Sequence, residues 1–75
     1  MHPLVFAYEH ETLYPMLTTY VRWCVKAVSA PSEDMAEYWL DRAELLEEDM
    51  TQEHIDFGRL IAELVLDHNR RRGAA

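Results

Sequence analysis

Residues 33–49 read EDMAEYWLDRAELLEED, and this stretch decides the fold. Glu33, Asp34, Glu37, Asp41, Glu44, Glu47, Glu48 and Asp49 stand there against a single base, Arg42. Glu37, Asp41, Glu44 and Glu48 follow one another at steps of four, three and four, the spacing of one helical face. Met35, Trp39, Ala43, Leu46 and Met50 keep a matching spacing on the other side. The segment is therefore expected to be a helix with an apolar side to bury and a negative side to show.

Upstream, Ser29-Ala30-Pro31-Ser32 breaks the helical pattern, because proline disfavours helical geometry in the residue before it. Ser32 is the expected cap of the acidic helix, with Glu33 and Asp34 at its positive end. Before the break, the pattern predicts a helix over 12–28, with Thr12 as N-cap and Pro15 in the first turn, where a missing N–H costs nothing. Leu13, Leu17, Tyr20, Cys24, Ala27 and Val28 share one face of it, broadened by Met16, Val21, Trp23 and Val25. Thr18, Thr19, Arg22 and Lys26 make a narrow polar strip. So little polar surface places this helix at the centre of the fold or of an interface.

Downstream, a very short link ends in Thr51, the expected cap of a last helix over 52–71. Phe57, Leu60, Ile61, Leu64 and His68 are read as its core face. Ile55, Ala62 and Leu66 form a second apolar stripe that a lone three-helix bundle would leave wet. Arg70, Arg71 and Arg72 suit the negative end of this helix, or a small anion contact, and Gly73 suits its stop. Residues 1–11 are an arm or a short helix begun at Pro3, with Leu4, Val5, Phe6 and Tyr8 to cover.

The fold class is thus all-α: a single domain spanning 1–75, a small antiparallel bundle of three helices, or four with the arm, completed by dimerisation. At 75 residues with one cysteine, Cys24, the chain has no internal disulfide to staple it. Trp23 with the Ile55, Ala62 and Leu66 stripe is the expected self-association surface. The net charge of −7 weighs against binding nucleic acid or an anionic membrane directly, and suits a basic partner. No stretch approaches the roughly 20 apolar residues of a membrane span. With no basic-then-apolar leader at the N-terminus, a cytoplasmic location is expected.

Motifs for chemistry are missing from the sequence. His2, His10, His54 and His68 form no Glu-x-x-His, His-x-x-x-His or His-Glu-x-x-His pattern, so no metal and no cofactor is expected. Cys24 lies on the most apolar face of its helix and reads as a structural, inert thiol. Gly58 and Gly73, the only glycines, build no phosphate loop, and an enzyme is not expected. The expected function is a non-catalytic interaction module, a small acidic adaptor or inhibitor on a larger partner with a basic or apolar groove. Glu37, Asp41, Glu44, Glu48, Tyr38 and Trp39 are its expected contacts. Two alternatives stay open. Carboxylates recurring about every 5–6 Å along a helix imitate the spacing of phosphates, as an inhibitor of a nucleic-acid-binding protein would. Carboxylate and histidine side chains at a dimer seam could instead bind a metal or ligand.

Overall fold

A computed structural model of the chain describes residues 2–74; Met1 of the arm and Ala75 lie outside the described residues. Four helices follow one another: α1 (Pro3–Glu9), α2 (Pro15–Val28), α3 (Glu33–Glu47) and α4 (Gln52–Ala74), with no strand among the described residues. The N-terminal segment is a helix. Pro3 opens it, and His2 Nδ1 accepts a hydrogen bond from the Leu4 N–H at 3.1 Å.

Local chemistry sets the helix ends, and one of them corrects the reading above. Thr12 does not cap α2. Tyr14, extended at φ −41° and ψ 134° ahead of Pro15, holds the cap position, and the helix begins at Pro15. Thr12 instead closes α1: its N–H reaches Ala7 O at 2.9 Å while the Glu11 N–H reaches Tyr8 O at 3.2 Å. This paired closure needs a left-handed residue, normally glycine, at the position Glu11 occupies with φ 54°. Glu11→Gly should therefore raise stability by about 0.5 kcal/mol, after losses from chain entropy and the exposed Glu11–Arg22 pair. Urea melts of the two proteins check this.

Ser32 Oγ accepts from the Met35 N–H at 3.3 Å, and Thr51 Oγ1 accepts from the His54 N–H at 3.2 Å. Gly73 does not stop the last helix. Its φ is not positive, and α4 continues through it to Ala74.

The principal contacts run α1 on α4, α4 on α2, and α2 on α3. They form a row, and the molecule is a slab of 37 × 29 × 17 Å. Val5, Leu17, Val21, Ile61, Ala62 and Val65 make one core cluster between α1, α2 and α4. Tyr20, Ala43 and Ile55 make a second between α2, α3 and α4. α2 serves both, as its narrow polar strip implied.

The face of α4 that turns inward only partly matches the one read in the sequence: Ile61 is buried and Leu64 packs on the core, as expected. Ile55, Gly58, Ile61, Ala62 and Val65 are buried, whereas Phe57 and Leu60 are 39% and 47% exposed. Gly58 makes room for this arrangement. A Cβ built there would lie 2.5 Å from Cδ2 and 2.9 Å from Cε2 of Tyr20, so only a hydrogen lets α2 and α4 meet at that level. The close approach is thus compatible with the Gly58 side of α4 facing in. Of the expected self-association stripe, Ile55 and Ala62 lie in the core of the single chain. Leu66 is half-buried, and Trp23 is half-buried against the Tyr20 cluster.

Tyr20 also ties three helices together by polar bonds. Its hydroxyl donates to Glu47 Oε2 at 2.7 Å and accepts from Arg59 Nε at 3.3 Å, while Arg59 Nη2 donates to the same carboxylate oxygen at 3.2 Å. The ring is wholly buried, so an unpartnered hydroxyl there would be costly. Burial first, then the bond to Glu47, pushes this hydroxyl well above its ordinary 10.0. Burial likewise raises the thiol of Cys24, one turn along α2.

Candidate functional site

The candidate site is the solvent side of α3. Helical geometry of about 100° per residue divides it into two neighbouring strips. The first holds Glu37, Asp41, Glu44 and Glu48, all exposed. The second holds Met35, Tyr38, Arg42, Leu45 and Asp49 at steps of three and four. Met35, Tyr38 and Leu45 are 42%, 45% and 63% exposed, so a row of large apolar groups lies in water beside the acids. The strips meet at Leu45, which shares a shallow hollow with Asp41, Glu44 and Glu48.

Arg42 shapes the apolar row rather than pairing with an acid. Its guanidinium lies 4.7 Å from the Tyr38 ring centre and 5.9 Å from that of Trp23. Lys26 of α2 lies 4.5 Å over Trp39. Trp39 itself is half-buried on the side turned towards α2, so of the two expected aromatic contacts Tyr38 is the better presented. Glu47 leaves the acidic display altogether, because its carboxylate is drawn in to Tyr20 and Arg59.

The structure brings together residues that the sequence reading kept apart. Met35, Arg42 and Leu45 belong to the exposed side, and the signal for them was present. Each sits three or four residues from Tyr38 or from Asp49. Trp23 joins the row from α2 and lines a second shallow groove with Arg42, Leu45, Leu46 and Asp49.

Elsewhere the titratable groups serve structure. Arg70 and Arg71 reach Asp67 on their own helix at 2.7 Å and 3.1 Å. The Arg70 bond is the chief reason the Asp67 carboxyl is held below its ordinary range. His68 Nε2 is buried without a hydrogen-bond partner, 3.9 Å from Glu9 Oε1 on α1. Among the described residues no three His, Cys, Asp or Glu side chains are grouped to hold a metal ion. Nor is any helix there long and apolar enough to cross a membrane.

Comparison with protein-family models, curated proteins and solved structures finds no match for this chain. The functional reading accordingly rests on the geometry of α3.

Proposed function

We propose that the chain is a non-catalytic interaction module, a small acidic adaptor or inhibitor. Its α3 docks on a protein partner that offers basic and apolar groups together. The supporting observation is the adjacency of the two strips: exposed Glu37, Asp41 and Glu44 on α3, with Glu48 at its C-cap, beside Met35, Tyr38 and Leu45. The carboxylates steer and orient a basic surface, and the apolar row contributes affinity once water leaves. A solvated helix needs the first strip alone; the second is what favours docking.

Reversing four charges together, E37K, D41K, E44K and E48K, should abolish partner capture by tagged bait from cell lysate. All four side chains are exposed, so helix content and melting should change little. Undiminished capture by the reversed bait would remove the acidic strip from the interface.

Self-association is a second reading, favoured by the shape. The surface of 5267 Å² exceeds the roughly 4,800 Å² of a compact monomer of 8.9 kDa. Phe57 and Leu60 are exposed on α4. A homodimer that completes a bundle would cover them, and its seam would lie there rather than along Ile55 and Ala62. Mass at low micromolar concentration decides: a dimer lost on Leu60→Lys supports it, and a monomer refutes it.

A further inference from the structure

Beside the C-terminal end of α3 lies an apolar groove of about 300 Å³ that meets the docking face above only at Asp49. Tyr14, Met16 and Leu17 of the α2 entry, Asp49, Met50 and Thr51 of the α3–α4 corner and His54 of α4 line it. Tyr14 and Met16 are 66% and 43% exposed, which is much apolar surface to leave in water. We infer that this groove receives one large apolar side chain of a basic, amphipathic peptide segment, the same partner segment that lies along α3. The inference rests on the interaction reading proposed above and names where such a partner is anchored.

Three observations select this occupant. The volume stands at the bottom of the range for small-ligand sites, about 300–1,000 Å³, and suits a single side chain better than a cofactor. Two of the lining residues are methionines, whose unbranched side chains adapt to an incoming ring. Most decisive is charge. Glu48 and Asp49 follow the end of α3 in sequence, the last turn of that helix carries no base, and no Lys or Arg lines the groove. A cationic residue next to the anchor is therefore drawn to the rim.

Continuity fixes the path. Asp49 lines this groove and also the shallow groove formed with Trp23, Arg42 and Leu45. A helix laid on the row of Met35, Tyr38 and Leu45 thus reaches Asp49 and then the groove, a helix-in-groove mode with its anchor at one end.

The methionines supply the test. Met35 reports the α3 row, and Met16 and Met50 report the groove. The probe is a synthetic Lys/Leu amphipathic helical peptide ending in Trp-Lys, with a second peptide carrying Ser in place of Trp. Each is titrated at physiological salt into full-length protein labelled at the methionine methyls, and followed by NMR. The expected result is that Met35, Met16 and Met50 shift with one midpoint for the Trp peptide, and Met35 alone for the Ser peptide. Met16→Lys, at an exposed position, should weaken the Trp peptide about tenfold and leave the Ser peptide unchanged.

If Met35 alone shifts with the Trp peptide, the groove inference is overturned while docking on α3 stands. If no methyl shifts, both fall. If Met16 and Met50 shift with protein concentration and no peptide, a second copy fills the groove and the inference is overturned.

Discussion

Gly58→Ala is expected to lower the stability of this protein by about 2 kcal/mol, although alanine is the better helix former. Intrinsic propensity favours the alanine by about 1 kcal/mol in a helix interior. Against it stands a methyl group placed 2.5 Å from Cδ2 of Tyr20 and 3.2 Å from Cδ1 of Leu17. Relief by moving the Tyr20 ring is blocked, since the ring is 0% exposed and its hydroxyl is held by Glu47 and Arg59. Overpacking of this kind costs about 3 kcal/mol, at the upper end of its usual range, which sets the net sign. For a domain this small, the loss corresponds to a fall in Tm of roughly 10 °C. Gly73→Ala is the control: nothing lies within 4 Å of a Cβ there, and it should cost nothing. A Gly58→Ala protein as stable as the parent would mean that α2 and α4 do not meet at Tyr20.

Alkali should unfold the chain through the same contact. The Tyr20 hydroxyl is raised above its ordinary 10.0 and the Cys24 thiol above its ordinary 9.0, each chiefly by burial. A raised value means that the folded state keeps a proton the unfolded chain releases. The stability these groups supply is thus whole below about pH 9 and falls as pH rises past about 9 and then 10. Deprotonated Tyr20 would set a second anion against Glu47, with Arg59 the one cation bonded to both. Stability is therefore expected to fall steadily as pH rises through this range. Tyr20→Phe should lose about 1 kcal/mol at neutral pH and show a shallower alkaline limb. Circular dichroism against pH for both proteins reads this; parallel limbs would show that Tyr20 is not the group being forced to ionise.

Features set by neighbours in the chain were legible in the sequence. Ser32 and Thr51 cap α3 and α4 because a side-chain oxygen two or three residues ahead of a free N–H needs little else. The acidic strip was legible for the same reason, since helical spacing alone puts Glu37, Asp41, Glu44 and Glu48 together. The orientation of α4 was not. Ile55, Phe57, Leu60, Ile61, Ala62, Leu64, Val65 and Leu66 offer apolar groups around most of its circumference. Periodicity cannot choose among such faces, and a glycine carries no hydrophobic signal. The observed face goes with a close approach between Gly58 and Tyr20, 38 residues apart in the chain, which no local pattern contains. The role of Glu47 was hidden for a related reason: nothing local marks it out among the acids of 33–49, and a buried hydroxyl 27 residues away claims it.

The apolar row on α3 was half legible. Tyr38 was singled out, but Met35 was assigned to the buried side and Leu45 to neither. Their shared exposure appears only once Ala43 is seen to point at α2.

The most direct measurement for α3 as the docking face is carboxylate footprinting. The chain, alone and bound to the protein it captures, is labelled with a carbodiimide and an amine and read by mass spectrometry. Protection of Glu37, Asp41, Glu44 and Glu48 in the complex, with Glu33 and Glu63 labelled equally in both states, is the expected result. Equal labelling of those four carboxylates in free and bound protein would contradict it and move the interface off α3.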